Sequence, residues 1–186
     1  MGLSLLSGCK SNDSSVSSSG GEVSSDGYKD TITLAVGSDQ NYMDGQMNNT
    51  NDLILRACYS QLVRRNADNE IVGDLAEDWS VSEDGCTWTF NLRKDVKFHS
   101  GKQFTAADVK ASYDRLLDTE KPVRYSSLVK GYVSECNVVD EYTVELVSEK
   151  PIAAMLANLC HRCNLILNAD YIEQYGTCLL YTSRCV

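Results

Sequence analysis

Residues 75–112 read LAEDWSVSEDGCTWTFNLRKDVKFHSGKQFTAADVKAS, and this stretch decides the fold. Within it, residues 87–93 alternate strictly between apolar and polar side chains, a period that predicts a half-buried β-strand. Asp84 and Gly85 lie just before this strand and are typical of the tight turn of a β-hairpin. The stretch therefore predicts a hairpin and its extension, in which the side chains expected to face the core are Trp79, Trp88, Phe90 and Phe98.

A helix is predicted directly after the hairpin, beginning at Thr105. Threonine is favoured at the N-cap, and Asp108 stands at the position from which a carboxylate accepts a hydrogen bond back from the cap residue. An apolar stripe at helical spacing follows, formed by Val109, Tyr113, Leu116 and Leu117.

Shorter patterns on both sides predict a mixture of strands and helices. Upstream, residues 28–36 alternate as a strand does, and residues 51–62 have apolar side chains at helical spacing. Downstream, residues 137–147 predict two short strands, and a helix is expected from Pro151 to Leu159. Because the elements do not alternate as βαβ units, we expect the start of an α/β lobe with an α+β satellite lobe attached.

Composition excludes some classes of partner. The chain has 186 residues, 42% of them hydrophobic, which suffices for a packed core. Its formal net charge is −9 and it has no run of Lys and Arg, so nucleic acid is not an expected partner. No apolar run approaches the roughly 18 residues that span a bilayer.

The two ends differ from the body. Residues 1–9 end in Leu6-Ser-Gly-Cys9, which matches the lipobox of bacterial lipoprotein precursors, and are interpreted as a signal remnant with Cys9 as the lipidated residue. Residues 10–27 are rich in Ser and Gly and predict a flexible tether. Residues 178–186 share no pattern with what precedes them and are interpreted as a non-native tail.

Several blocks in order resemble the family 5 extracellular solute-binding proteins of ABC transporters, the oligopeptide, dipeptide and nickel type. The blocks are residues 59–63, 71–79, 84–94, 96–101 and 104–112. Two positions depart from the family pattern: Gly45 stands where a proline usually follows Asp44, and Ser100 stands where an aspartate is usual.

The resemblance implies a periplasmic-binding-protein-like II fold, present in part, with residues 28–62 starting lobe I and residues 63–177 forming the satellite lobe. It implies a substrate-binding subunit that closes on its ligand by hinge motion and delivers it to ABC permease subunits. The expected cargo is an oligopeptide or dipeptide; the protein is expected to be a monomer without cofactor or catalysis. Its expected place is the outer face of the cytoplasmic membrane, held by the lipid anchor, or the periplasm.

The expected ligand contacts are Ser38, Asp39, Gln40 and Tyr42. They follow the carboxyl end of the first predicted strand, where open α/β sheets bind ligands, and the corresponding family loop lines the cleft. A peptide would be held there mainly through main-chain hydrogen bonds, as in strand addition. The alternative is a solvated loop in which Asp39 is only a turn residue.

Two other readings stay open. The same fold could carry nickel chelates or sugars, or act as a sensor. A third hypothesis is a small redox or hydrolytic lipoprotein using His99, Cys160 or Cys163. Against it, Cys160-His-Arg-Cys163 has no second cysteine pair for a zinc site, and is interpreted as a helix end entering a buried strand. Most cysteines of the body are interpreted as small buried apolar residues.

We predict that the 186-residue chain alone does not bind peptide tightly. The strand at residues 28–36 belongs to a sheet whose other strands are expected from chain outside this sequence, which leaves half a cleft. Isothermal titration calorimetry of the purified chain with a peptide mixture tests this, and tight binding would contradict it.

Overall fold

The computed structural model describes residues 44–47 and 52–175 of the chain. In chain order the elements are α1 (Asp52–Cys58), β1 (Val63–Arg65), β2 (Ile71–Gly73), β3 (Ala76–Val81), β4 (Thr87–Leu92), α2 (Ala106–Leu117), α3 (Ser126–Val129), β5 (Glu135–Asp140), β6 (Thr143–Val147), α4 (Met155–Leu159), a 3₁₀ turn (Arg162–Asn164) and α5 (Ala169–Tyr175).

A four-stranded antiparallel sheet with the order β3-β4-β6-β5 forms the centre of this unit. The predicted hairpin is β3–β4, and Gly85 in its turn has a φ of 72°, a left-handed conformation that favours glycine. The two strands predicted within residues 137–147 are β5 and β6, which pair with each other. Both predictions are confirmed. A separate two-stranded sheet joins β1 to β2.

The core lies between this sheet and α2, whose closest strands are β5 and β6. Of the aromatic side chains predicted to face inward, Phe90 is fully buried. Trp79, Trp88 and Phe98 are half-buried and pack against the same core. The apolar stripe of α2 is confirmed, since Val109, Tyr113 and Leu116 are fully buried.

Helix α2 begins after Thr105, as predicted, and Asp108 is fully buried beneath its first turn. One carboxylate oxygen of Asp108 accepts hydrogen bonds from the Thr105 backbone N–H at 3.1 Å and from the Thr105 hydroxyl at 3.3 Å. The other accepts from Lys102 Nζ at 3.0 Å and from the backbone N–H of Ala169 at 2.9 Å. The capping residue thus also joins α2 to the start of α5.

The helix predicted at residues 51–62 is shorter than expected, because α1 ends at Cys58. Leu62 is buried outside the helix, where its carbonyl accepts the backbone N–H groups of Asp74 at 3.1 Å and Ala76 at 3.0 Å. Leu62 therefore hydrogen-bonds to the segment at the start of β3 and does not continue α1, although its spacing from the other apolar residues had predicted a helical position.

The helix predicted to begin at Pro151 is wrong at its start, since α4 begins at Met155. The Ser148 hydroxyl donates to the Lys150 carbonyl at 2.8 Å, and Pro151 packs against the hairpin turn, where a Cβ placed on Gly85 would lie 3.1 Å from its ring. These contacts hold the chain outside helical geometry until it has crossed the turn.

The buried strand predicted after Cys163 is also wrong. Residues 165–168 are buried, yet within the described residues they join no strand. The backbone N–H of Ile166 donates to the Ser60 carbonyl at 3.0 Å, and Leu167 donates to the Ser112 hydroxyl at 2.9 Å. The segment is buried without strand pairing in the part of the chain that the structure describes, and hydrophobicity does not distinguish this state from a buried strand.

The strand predicted at residues 28–36, the lipobox cysteine Cys9, the tether at residues 10–27 and the tail at residues 178–186 lie outside the described residues. Among the helices in residues 52–175, none is long and apolar enough to cross a membrane.

We predict that Asp108→Ala lowers the free energy of unfolding by about 3 kcal/mol, because the α2 cap is lost and Lys102 and Ala169 lose a charged acceptor. Asp114→Ala is the matched control on the same helix, since this carboxylate is exposed and has Lys110 as its one ion-pair partner in residues 44–47 and 52–175. Its effect should stay within about 0.5 kcal/mol. Urea unfolding followed by circular dichroism measures both. Equal effects of the two substitutions would contradict the prediction.

Candidate functional site

The expected ligand contacts Ser38, Asp39, Gln40 and Tyr42 lie outside the described residues. The described residues closest to them in the chain are 44–47, which form a turn in which Asp44 and Gln46 are buried. This turn is where the chain that follows the predicted ligand loop is attached to the body.

A buried ion pair attaches the turn to α2. Arg115, in the last turn of that helix, donates from Nη1 to Asp44 Oδ1 at 3.2 Å and from Nη2 to Asp44 Oδ2 at 2.5 Å. Both side chains are 5% exposed. A bidentate guanidinium–carboxylate pair is among the strongest and most directional hydrogen-bonded contacts in proteins. It therefore holds the backbone at Asp44 in one orientation.

Gln46 extends the attachment. Its side-chain oxygen accepts from Arg115 Nη1 at 2.9 Å, and its amide nitrogen donates to the Ser112 carbonyl at 3.1 Å. The Gln46 backbone N–H donates to Asp44 Oδ1 at 2.9 Å. Every polar group of this fully buried side chain is thereby engaged, as burial in an apolar setting requires.

Gly45 shows why this turn tolerates the departure from the family's usual proline. A Cβ at this position would lie 2.3 Å from Leu165 Cδ1, closer than any real contact. Glycine lets the Leu165 side chain press against the turn backbone, so the attachment involves the late segment of the chain as well as α2.

The ion pair was not found by sequence reasoning, since Asp44 and Arg115 lie far apart in the chain and belong to no motif. The sequence of α2 does contain a pattern that could have indicated a buried polar contact. Asp108, Ser112 and Arg115 are spaced four and three residues apart, which places three polar side chains on one helix face beside the apolar stripe. All three are buried.

The Cys160–Cys163 segment is part of the packed interior. Cys163 is fully buried, with its Sγ 3.0 Å from His161 Nδ1 and 3.6 Å from the Tyr132 hydroxyl. Burial raises the pKa of both the Cys160 and the Cys163 thiol, the opposite of what activates a cysteine nucleophile. Both cysteines are free thiols. Within residues 44–47 and 52–175, no three His, Cys, Asp or Glu side chains converge as metal ligands.

His99, the remaining residue of the redox or hydrolytic hypothesis, is exposed in the turn after β4, with Nε2 3.4 Å from the Cys58 carbonyl. The buried-cysteine interpretation holds for Cys136, Cys160 and Cys163, whereas Cys58 is exposed and Cys86 half-buried. Burial raises the pKa of Cys136 to about 12. The three buried thiols therefore lack both the exposure and the lowered pKa of a reactive cysteine.

Two open clefts flank α2. One, of about 600 Å³, lies between α2 and α5 beside Arg115, and the other, of about 430 Å³, lies beside Cys136. Both are open to solvent and carry charged side chains such as Asp114 and Asp118, unlike the enclosed pockets in which small ligands are buried.

Residues 70–177 match the family described as bacterial extracellular solute-binding proteins, family 5 Middle. The chain is 32% identical over 147 residues to the glutathione-binding protein GsiB of Salmonella typhimurium, covering 78% of this chain and 28% of that protein. The Escherichia coli K12 protein of the same name is 30% identical over the same coverage. The chain thus spans about 28% of the length of these curated relatives.

The chain is also similar to parts of three solved structures. AgaA of A. tumefaciens, in complex with agropinic acid, is 33% identical with a TM-score of 0.61, covering 66% of this chain and 25% of that one. DppA of Helicobacter pylori, in complex with the peptide STSA, is 28% identical with a TM-score of 0.66, covering 77% and 32%. NikA of Brucella suis, in complex with Fe(III)-EDTA, is 30% identical with a TM-score of 0.61, covering 69% and 26%. These likenesses confirm the predicted periplasmic-binding-protein-like II fold, present in part.

We predict that Arg115→Met lowers the free energy of unfolding by about 3–5 kcal/mol, because it leaves the Asp44 carboxylate buried without its counter-charge. Adding Asp44→Asn should recover part of that loss, with a coupling free energy of about 2 kcal/mol in the double-mutant cycle. Denaturant unfolding of the four proteins gives this coupling.

Arg93→Met serves as the control and should have little effect, since this arginine is exposed and its one ion-pair partner among the described residues is the exposed Asp95. Strict additivity of the Asp44 and Arg115 substitutions would show that the two side chains do not act as a pair.

Proposed function

Since the chain belongs to the bacterial extracellular solute-binding proteins of family 5, we propose that it is the extracytoplasmic substrate-binding component of an ABC importer, with a short peptide as cargo. The family match over residues 70–177 carries this proposal. Two similar proteins support the cargo class: the GsiB proteins are named for glutathione, itself a tripeptide, and the DppA structure is a complex with the peptide STSA.

In the proposed mechanism, the ligand binds between two lobes and shifts an open–closed equilibrium by binding the closed form more tightly. The closed form then engages the membrane permease subunits. We infer that Ser38, Asp39, Gln40 and Tyr42 contact the ligand from the first lobe. The bidentate contact of Asp44 with Arg115 supports this role, because a loop held firmly at one end loses less conformational entropy on binding.

The proposed role needs no covalent chemistry. The raised pKa values of Cys136, Cys160 and Cys163 support a packing role for the thiols, and His99 lies in an exposed turn. We therefore expect the protein to bind its cargo and release it unchanged.

The proposed location is the outer face of the cytoplasmic membrane. Lipidation of Cys9 would place the body at the end of the tether formed by residues 10–27, close to its permease, where a monomer is sufficient. The lipobox-like sequence and the Ser/Gly composition support this placement.

A second cargo has one observation in its favour. NikA of Brucella suis, 30% identical to this chain, was crystallised with Fe(III)-EDTA, so a metal chelate is the alternative ligand class on the same fold.

We predict that a mixture of di- to pentapeptides raises the melting temperature of the full-length protein, because ligand binding to the folded state stabilises it by mass action. Differential scanning fluorimetry with peptides, with free amino acids and with Fe(III)-EDTA separates the two cargo classes. A rise in the melting temperature with Fe(III)-EDTA but not with peptides would contradict the peptide cargo and favour a metal chelate.

Cys160→Ser and His99→Ala are the controls for catalysis, and both should keep the peptide-dependent shift. Peptide hydrolysis that disappears in either variant, without any thermal shift in the parent protein, would overturn the transport function.

A further inference from the structure

Strand β5 lies at one edge of the four-stranded sheet, and among the described residues it pairs on one side only, with β6. The unpaired backbone groups of an edge strand are a template on which another chain can form a ladder. Two apolar side chains add to this tendency, since Val138 is 43% exposed and Val139 is 56% exposed. Such an edge either pairs with another chain or carries a feature that prevents pairing.

The hydrogen bonds of β6 determine which residues of β5 direct their backbone groups outward. In an antiparallel sheet, successive residues of a strand bond alternately to the neighbour on one side and to the neighbour on the other. Leu92 donates from its backbone N–H to the Tyr142 carbonyl at 2.7 Å, and these two residues continue the register of β4 and β6. Every second residue from Tyr142 therefore bonds to β4, and the residues between them, which include Glu145 and Val147, bond to β5.

The open edge of β5 is formed by the backbone of Cys136 and Val138. The residues opposite β6 positions 145 and 147 are Asn137 and Glu135, whose backbone groups are therefore used in the ladder with β6. By the same alternation, the N–H and C=O groups of Cys136 and Val138 point away from β6. Lys110 agrees with this direction, because its Nζ donates to the Cys136 carbonyl at 3.2 Å.

The Lys110 ammonium group is held at this edge by the helix that carries it. Helix α2 packs against β5, and Lys110 Nζ also forms an ion pair with Asp114, one turn further along the helix, at 2.9 Å. A charged donor forms a stronger hydrogen bond with a carbonyl than a backbone N–H does. A strand that approached this edge would therefore have to displace Lys110 before it could bond to Cys136.

A second copy of β5 is complementary to the edge. Two copies related by a two-fold axis through Asn137 would run antiparallel, with Cys136 of each opposite Val138 of the other. Each such pair would exchange two backbone hydrogen bonds, and one of the two is accepted by the Cys136 carbonyl. In this register Glu135 stands opposite Val139 of the other copy, so no like charges face each other directly.

We propose that the β5 edge is a self-pairing surface and that Lys110 prevents two copies of the chain from pairing through it. Lys110 occupies the Cys136 carbonyl, an acceptor that pairing needs in each copy. The irregular register between Val138 and Asp140 shortens the part of the edge that can pair. The inference rests on the monomeric state proposed above and adds the interaction that maintains it.

Lys110→Met tests the proposal, because methionine keeps an extended side chain and removes its charge and its donors. In sedimentation velocity of the full-length protein, freeing one acceptor in each copy should lower the dissociation constant of a dimer at least about tenfold. Lys97→Met, the same change at an exposed lysine between β4 and α2, should leave the parent's state unchanged. Both variants are equally more acidic than the parent, so net charge does not account for a difference between them.

Asn137→Lys, added to Lys110→Met, identifies the surface. Residue 137 lies opposite its own copy on the two-fold axis, where two lysines would repel each other, whereas within one chain the new lysine faces Glu145 on β6. The double variant should therefore fold normally and be monomeric where Lys110→Met associates, and Asn137→Gln in its place should leave the association intact. A Lys110→Met protein that sediments like the parent, or association that survives Asn137→Lys, would overturn the proposal.

The mass of the parent protein separates this proposal from the monomeric state on which it rests. If the parent is a dimer, the monomeric state fails, and Asn137→Lys alone then judges the edge. Dissociation of that dimer by Asn137→Lys would show that β5 pairs despite Lys110 and would overturn the proposal. A parent dimer that resists Asn137→Lys, with larger oligomers in Lys110→Met that Asn137→Lys removes, would support it.

Discussion

The fully buried carboxylate of Asp108 is the interaction on which the described body depends. It caps α2 by accepting a hydrogen bond from the Thr105 backbone N–H and forms an ion pair with the ammonium group of Lys102. It also accepts a hydrogen bond from the backbone N–H of Ala169, the first residue of α5. A buried charge is costly unless every acceptor position is used, and here both oxygens are engaged. The requirement to satisfy this one group therefore holds the loop before α2, the helix itself and the final helix together.

Two further polar residues continue the same face of α2. The Ser112 hydroxyl donates to the Asp108 carbonyl at 2.7 Å and accepts the backbone N–H of Leu167, and Arg115 pairs with Asp44 one turn later. The apolar stripe of α2 thus packs against the four-stranded sheet. Its three polar residues, Asp108, Ser112 and Arg115, form hydrogen bonds with three separate segments of the chain. Such networks stabilise a structure when their polar groups are satisfied. Within the described residues, one donor of this network, Arg115 Nε, is buried without a hydrogen-bond partner.

This arrangement holds two features of the described body in place. The Asp44–Arg115 pair holds the chain directly after the expected ligand loop, and the turn that follows α4 presents Arg162 beside Tyr125. The two features are connected through the packed interior, because Leu165, three residues after Arg162, lies against Gly45, the residue after Asp44.

Local patterns in the sequence determined the β3–β4 hairpin, the strands β5 and β6, the cap of α2 and its apolar stripe, because turn chemistry and side-chain periodicity act between near neighbours. The family resemblance was likewise carried by contiguous blocks. Only tertiary structure decided that Leu62 leaves α1, that residues 165–168 are buried without a strand, and that Asp44 meets Arg115. The last is a contact between residues far apart in the chain, as is the pairing of Arg162 with Tyr125. Such contacts depend on how elements pack, which no local period encodes.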